Sequence, residues 1–318
     1  MKPFKNLDEQ IDILKSRNLK FKDEDSSKKY LLHYNYYNII NCYSKFFLET
    51  NDKYFDGVYF EDIKEVHHFD KEIKTAILEA IIEAERHIKS ILAYTYSDIH
   101  KNKVYPYLNV ETYEKSKLLE SSNLIGRFSK IISDNKKTKY SNSIKHYANN
   151  HTCVPFWILI DYLTFGEINN FIRCSDNKVQ NSIAVNLLPF LRDNLNTCNH
   201  IIIKPKSVIL ALENLSKIRN ITAHNNVLLG HIGRNDLMYL KELHDLYGIK
   251  KADNRQDVYN SLLYLQIFIT SNQFAILNNK LKKRTETLKK RISPIYFNRI
   301  INSLGFPSNW KVLNQNKK

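Results

Sequence analysis

The chain has 318 residues, only 7 of them glycine and 7 proline, and its 48 lysines and arginines exceed its 33 aspartates and glutamates, giving a net charge of +15. So few turn-forming residues favour long regular elements, and we predict an all-α fold. The charge points to a polyanionic partner, for which RNA is the natural candidate and DNA, an anionic membrane or simple solubility are the alternatives.

The N-terminal part of the chain is predicted to be helical. Asn6 is suited to cap a first helix that runs to about residue 17. Residues 25–48 are rich in tyrosine and phenylalanine, yet their apolar positions lack the alternation of a strand, so we predict a helix. We interpret these tyrosines as core and interface residues rather than as platforms for RNA bases. The clearest helical period covers residues 69–92, which we predict to be a central element of a bundle.

A basic stretch follows the next helical pattern. Residues 113–132 are predicted to be a helix, and residues 134–145 to be a loop or a frayed helix start. This stretch contains Lys136, Lys137 and Lys139, which we assign to RNA binding. A solvated run of charge is the alternative interpretation.

The segment that leads to the chain's most informative motif holds a short helix, a linker and a longer helix. Residues 156–165 are predicted to be helical, starting after Pro155 and ending at Gly166. Residues 196–206 are the best candidate for an internal linker. Residues 206–218 then carry one apolar stripe at helical spacing.

A long basic helix is predicted over residues 256–291. Its end is so rich in cations that complementing the helix dipole accounts for only part of them. We therefore predict an RNA-binding surface formed by Lys282, Lys283, Arg284, Lys289, Lys290 and Arg291.

Arg219 and His224 lie at the end of the helix predicted over residues 206–218. A guanidinium can neutralise phosphate charge, and an imidazole can exchange protons near neutral pH, so the pair is suited to cleaving RNA without a metal. On a straight helix an offset of five residues turns about 140°, so the two side chains would not share a face. Either the helix loosens there or a second protomer completes the site. The simpler interpretation is that both residues cap the negative end of the helix.

Several stretches of the sequence, taken in order, resemble landmarks of the Abi-like abortive-infection proteins of the AbiD/AbiF group. The stretches are the run from Lys2 to Arg17, Tyr34-Asn35-Tyr36-Tyr37, Glu83-Ala84-Glu85-Arg86, Val154 to Ile158 with Leu163 to Gly166, and Arg219-Asn220 with Ala223-His224. They cover most of residues 1–230, which makes the series more specific than any one of its members.

That family is related to the HEPN superfamily of helical RNases, and the resemblance implies that Arg219 and His224 carry the Arg-x4-6-His motif. It implies a homodimer whose two motifs meet across the interface, with no cofactor and no metal. Asn220 is the third candidate catalytic residue, placed to orient the histidine or hold the phosphate. Many relatives continue Ala-His-His-x-Arg-Leu, whereas residues 223–228 of this chain read Ala-His-Asn-Asn-Val-Leu, without the second histidine and arginine.

We accordingly expect a HEPN-like helical domain over residues 61–292, preceded by an N-terminal helical extension over residues 1–60 and followed by a basic C-terminal tail over residues 293–318. The predicted function is a metal-independent endoribonuclease of abortive infection, anti-phage defence or toxin type, which uses 2′-hydroxyl attack to leave a 2′,3′-cyclic phosphate. The alternative is a non-catalytic regulator that holds a structured small RNA. A third idea combines both, with a bound small RNA that inhibits or guides the nuclease.

The location expected from the sequence is the cytoplasm. The longest notable apolar run, residues 154–160, is far shorter than the roughly 20 residues that span a bilayer, and the charged N-terminus lacks a signal-peptide pattern. The cysteines Cys42, Cys153, Cys174 and Cys198 are too far apart for a Cys-x-x-Cys metal site and suggest thiols in a reducing compartment.

Overall fold

Every regular element of the computed structural model, which describes residues 3–197 and 200–307, is helical. The prediction of an all-α fold is therefore confirmed. In chain order the α-helices are α1 (Leu7–Ser16), α2 (Glu24–Tyr34), α3 (Phe60–Ile99), α4 (Leu118–Lys137), α5 (Ser143–Asn150), α6 (Phe156–Leu159), α7 (Phe165–Cys174), α8 (Asn177–Leu195), α9 (Pro205–Ala223), α10 (Lys241–His244), α11 (Val258–Tyr264), α12 (Ser271–Arg291) and α13 (Pro294–Asn302). Among these residues, no helix is both long and apolar enough to cross a bilayer.

Helix α3 is the central element, and it extends the helix predicted over residues 69–92 in both directions to a length of 40 residues. It begins where the Asp62 carboxylate accepts a hydrogen bond of 2.8 Å from the backbone amide of Tyr59. Helix α12 packs along α3 most extensively, α8 and α9 pack against other parts of it, and α6 contacts it as well. Because α3 is buried along nearly its whole length, it fixes the positions of all four neighbours.

The N-terminal region confirms one prediction and corrects another. Asn6 caps α1, accepting from the Glu9 amide at 2.9 Å while the Glu9 carboxylate accepts from the Asn6 amide at 2.8 Å. A single helix over residues 25–48 is wrong. Helix α2 ends at Tyr34 because Asn35 adopts a left-handed backbone with a φ of 66°, and two short helical turns, Tyr37–Asn41 and Ser44–Phe46, follow.

Two boundaries in the middle of the chain also differ from prediction. Helix α4 continues through Lys137, so the stretch predicted as a loop or a frayed helix start begins as the last turn of a helix. Gly166 does not end a helix but lies in the first turn of α7. The reason is a capping box in which the Thr164 hydroxyl accepts from the Glu167 amide and the Glu167 carboxylate accepts from the Thr164 amide.

The long helix predicted over residues 256–291 is two helices, α11 and α12. A 3₁₀ turn at Leu265–Ile267 follows α11, and Thr270 then caps α12 in a box with Gln273. Helix α13 lies in the region predicted as a tail and buries Phe297, Ile300 and Ile301 against the bundle, while residues 308–318 lie outside the described ranges.

Cys42, Cys153 and Cys174 are free thiols, and the fourth predicted thiol, Cys198, lies outside the described ranges.

Candidate functional site

Helix α9 carries Arg219 and Asn220 near its end. Pro205 occupies its first turn, where the missing amide hydrogen costs no hydrogen bond. Of the predicted apolar stripe, Val208, Leu212, Leu215 and Ile218 are buried, and Ile209 is half-buried. These residues belong to a helix that packs against α3, α7, α8 and α11. The packing fixes the last turn of α9 relative to the rest of the bundle.

A Schellman motif ends α9 directly after His224. The Asn226 amide donates to the Ile221 carbonyl at 2.9 Å, and the Asn225 amide donates to the Thr222 carbonyl at 3.4 Å. Asn225 takes the left-handed conformation that this motif requires, with a φ of 54°. The helix is therefore regular through Ala223 and does not loosen, so Arg219 and His224 project from different sides of it.

Arg219 is half-buried and makes no ion pair with any described residue. Its Nη1 lies 3.5 Å from the Asn220 Oδ1, and its buried Nε has no hydrogen-bond partner among the described residues. An arginine that is not neutralised by a carboxylate keeps its charge and its donors available for an anion. The Asn220 side chain thus contacts the guanidinium of Arg219, and its predicted role of orienting the histidine or holding the phosphate stays a prediction.

The His224 imidazole is exposed. Its backbone amide donates to the Asn220 carbonyl at 3.0 Å, but within the described ranges its ring forms no hydrogen bond or ion pair. The three predicted catalytic residues therefore share one helix end, yet no hydrogen bond joins the guanidinium of Arg219 to the imidazole. A ring that is free of protein partners can accept or donate a proton to a bound substrate.

A buried ion pair on α3 holds the loop that follows His224. Asp70 is 0% exposed and Lys74 is 3% exposed, and their charged atoms lie 2.9 Å apart. The Lys74 ammonium also donates to the Asn225 Oδ1 at 2.9 Å and to the Asn226 carbonyl at 3.0 Å. The other oxygen of Asp70 accepts from the amides of Leu228 and Leu229, at 3.2 and 3.3 Å.

The segment before α3 strengthens this attachment. The buried hydroxyl of Tyr43 donates to Asp70 at 2.9 Å, and the Lys45 ammonium donates to the Leu229 carbonyl at 3.1 Å. This network was not predicted from the sequence. The sequence does contain an indication of it, because Asp70 and Lys74 are two charged residues among the apolar positions of α3. The network also explains why asparagine follows His224 where many relatives have a second histidine. Asn225 supplies both the left-handed conformation and the acceptor for Lys74.

The cations predicted on α12 separate into paired and unpaired groups. Arg284 pairs with Glu72 of α3 at 2.9 Å, and Arg291 pairs with Glu65 at 2.8 Å, while Lys280 contacts Glu79 in the same ladder. Four predicted RNA-binding residues are exposed and form no ion pair with a described residue: Lys282, Lys283, Lys289 and Lys290. Their spacing places them on one face of α12.

The two predicted functional regions contact different sides of α3. Glu72 follows Asp70 by two residues, which is about 200° around a helix axis. Helix α12 binds through Glu72 and its neighbours, whereas the loop after His224 binds through Asp70 and Lys74. The basic face of α12 and the pair Arg219 and His224 therefore do not lie on the same side of α3.

The other predicted RNA-binding residues, Lys136, Lys137 and Lys139, are all exposed at the end of α4 and in the connection to α5. This connection is fixed to α5, because the Lys145 ammonium donates to the Thr138 carbonyl at 2.9 Å. Tyr140 projects into solvent beside them. They form a second basic surface, on elements other than α9 and α12.

Comparison with protein families gives one match. The model of a family described as Abi-like protein matches residues 29–229, well over half of the chain. The matched segment begins in α2, contains the buried Asp70–Lys74 pair and ends in the loop that this pair holds. Comparison with curated proteins and with solved structures gives no significant match.

Proposed function

The chain belongs to the Abi-like protein family, and from that premise we propose that it is a HEPN-type endoribonuclease that acts in abortive infection, as a defence protein or toxin. The observation that carries the proposal is the end of α9, where an exposed histidine lies five residues after an arginine that forms no ion pair with a described residue. This is the spacing of the Arg-x4-6-His motif. Arg219 can bind phosphate, and His224 can accept or donate a proton.

In the proposed reaction, the ribose 2′-oxygen attacks the adjacent phosphorus. The new bond from the 2′-oxygen to phosphorus forms while the bond from phosphorus to the 5′-oxygen breaks. One imidazole accepts the proton of the 2′-hydroxyl, and a second donates a proton to the departing 5′-oxygen, which is worth about 10²–10⁴ in rate. The guanidinium of Arg219 stabilises the negative charge that develops on the non-bridging oxygens. The products are a 2′,3′-cyclic phosphate and a 5′-hydroxyl.

This chemistry is the reason to propose a homodimer. One chain supplies a single imidazole at the helix end, whereas the reaction uses an acceptor and a donor on opposite sides of the phosphate. Since α9 is regular, Arg219 and His224 of one protomer also point in different directions. Two helix ends that face each other would supply two guanidiniums and two imidazoles to one phosphodiester.

The test compares cleavage of a labelled RNA by the wild type and by variants of the helix end. His224→Ala and Arg219→Ala should abolish cleavage, EDTA should have no effect, and a substrate with a 2′-deoxyribose at the cut site should resist. The matched control is His33→Ala, which removes another exposed histidine, on α2. Cleavage that survives His224→Ala, or that EDTA abolishes, would overturn the proposal.

A second candidate function is a non-catalytic regulator that binds a structured small RNA. The four lysines of α12 that form no ion pair within the described part of the chain favour it, because they form a basic face away from Arg219 and His224. Wild-type protein that binds RNA but cleaves none would support this regulator over the nuclease. A tightly held RNA would accompany the protein through purification and raise its absorbance at 260 nm.

A further inference from the structure

A groove runs along the C-terminal half of α3. Helix α12 covers the N-terminal half, from the contact of Arg291 with Glu65 to the 3.0 Å hydrogen bond from Gln273 to Glu83. Beyond Glu83, α3 forms one wall of a groove of about 730 Å³, and residues 157–161 form the other wall. A groove of this volume is large enough for a nucleotide-sized ligand.

Two large aromatic side chains project into this groove, one from each wall. Tyr94 of α3 is 72% exposed and Trp157 of α6 is 52% exposed. Large aromatic side chains are usually buried, because leaving them in water forgoes the largest hydrophobic gain that a side chain offers. Two of them on facing walls therefore form an apolar site that is open to solvent.

Trp157 also lines a second cavity, of about 710 Å³, so the two cavities meet at this residue. The second cavity is lined by groups that can donate and accept hydrogen bonds, including Asn149, Asn150 and His151. Side chains of these types recognise the edges of nucleobases. A chain of stacked bases could therefore pass Trp157 on both sides.

The polar lining of the first cavity suits a nucleotide better than a second protein surface. Arg86 and Lys89 provide cations at one end, although each is also paired within α3, with Glu83 and Glu85. Asp98 and Asp161 provide carboxylates that can accept from base amino groups and ribose hydroxyls. The Ser97 Oγ is buried at the groove and has no hydrogen-bond partner in the part of the chain that the structure describes. A purely apolar partner would leave these groups unsatisfied.

Phosphate-binding charge is available at the N-terminal end of α5, the helix whose C-terminal end lines the second cavity. Helix α5 lines this cavity and packs against α4, whose end and following connection carry Lys136, Lys137 and Lys139. These three lysines are exposed and form no ion pair with a described residue. A positively charged surface next to aromatic side chains is the arrangement with which proteins bind single strands without reading their sequence.

We propose that these two cavities form one binding groove for single-stranded RNA, in which bases stack on Trp157 and Tyr94 and the backbone runs toward Lys136, Lys137 and Lys139. This inference rests on the proposed function, because it takes RNA as the partner. It adds that the bound form is single-stranded. The groove holds RNA away from the end of α9 and takes no part in the chemistry.

The chain contains two tryptophans, which permits a direct test. In a Trp310→Phe, His224→Ala protein, Trp157 is the sole tryptophan and RNA is not expected to be cut. Titration with a 12-nucleotide oligouridylate or oligoadenylate should quench the Trp157 emission to saturation, because stacked bases quench indole fluorescence. A 12-base-pair RNA duplex should quench it far less. Tyr94→Ala in this background should weaken single-strand binding at least fivefold.

Two further comparisons make the outcome decisive. Trp157→Ala, read by anisotropy of a labelled oligonucleotide, should weaken binding by at least fivefold, whereas Phe4→Ala, which removes an exposed aromatic side chain outside the groove, should not. If RNA does not quench the Trp157 emission, or if all variants bind RNA with equal affinity, the proposal that this groove binds single-stranded RNA is wrong. A shift in sedimentation with unchanged RNA affinity would identify an interface between copies and would also overturn it. Wild-type cleavage is scored separately: cleavage without quenching rejects the groove alone, and saturable quenching without cleavage rejects the nuclease alone.

Discussion

Helix α3 carries ion pairs on two of its sides, and the two sets differ in burial. On one side, Asp70 and Lys74 are sealed from water and bind the loop that follows His224. On the other side, Glu65, Glu72 and Glu79 meet the cations of α12 at the surface. Removing one member of a buried pair leaves an uncompensated charge, whereas an exposed partner can turn to water. The comparison shows that similar ion pairs can hold a candidate site in place on one side of a helix and contribute little to stability on the other side.

The largest expected effect comes from breaking the buried side. Lys74→Met should destabilise the fold by about 3–5 kcal/mol, because Asp70 then keeps a buried charge without its main partner. Urea unfolding measures this change. The matched control is Lys71→Met, an exposed position on the same helix, which should change stability by no more than about 0.5 kcal/mol. Equal effects of the two substitutions would show that the buried network does not hold the bundle.

Lowering the pH should destabilise the buried side of α3 through protonation of His67, whose ring contacts Tyr43. Burial lowers the pKa of His67 to about 4, and the nearby charges of His68 and Lys74 act in the same direction. The unfolded chain, with a pKa near 6.5, binds more protons between these values. Stability should therefore fall as the pH drops from about 6.5 to about 4, by up to about 1.4 kcal/mol per pH unit.

The measurement for His67 is the free energy of unfolding at pH 7, 6 and 5. His67→Gln should flatten the slope between pH 6.5 and 5 relative to the wild type, whatever its effect at pH 7. His33→Gln, at an exposed position, should leave the slope unchanged. An identical slope in His67→Gln and the wild type would show that His67 does not link stability to pH.

Asn225 offers a smaller and more selective perturbation of the loop after His224. Asn225→Gly keeps the left-handed backbone and loses the acceptor for Lys74, whereas Asn225→Ala loses both. Alanine should be the more destabilising by about 1 kcal/mol, because its Cβ disfavours a φ of 54°. Unfolding in urea gives the difference. Equal stabilities would mean that the backbone conformation at this position contributes nothing.

The smallest effect is expected on the surface side. A double-mutant cycle with Glu72→Ala and Arg284→Ala should give a coupling energy below about 1 kcal/mol, and the coupling should shrink in 0.5 M salt. A coupling as large as the loss in Lys74→Met would remove the distinction between the two sides of α3.

The long periodic segments were the most predictable part of the fold. Residues 69–92 and 206–218 lie within α3 and α9, because an apolar stripe at helical spacing has few other structural solutions. The segments predicted as single helices over residues 25–48 and 256–291 are interrupted, because Asn35 turns left-handed and Thr270 starts a new helix. The helical spacing of apolar residues can continue across such a break. The end of one helix and the start of the next must therefore be identified from the capping residues themselves.

The candidate site was predictable only in part. Its place at a helix end follows from the stripe that precedes Arg219, and the exposed position of His224 agrees with a role in proton transfer. Asn225 and Asn226, which bind Lys74, lie about 150 residues further along the chain, and no local pattern joins them to it. The pairing of Arg284 and Arg291 with α3 was hidden for the same reason, so the basic run was assigned to RNA as a whole.

The most direct test of the proposed nuclease is an analysis of RNA ends. Wild-type protein should convert a labelled RNA to fragments with a 2′,3′-cyclic phosphate and a 5′-hydroxyl in the presence of EDTA, and His224→Ala should yield none while remaining folded and able to bind RNA. Fragments of the same kind and amount from His224→Ala, or none from the wild type under any condition, would contradict the account.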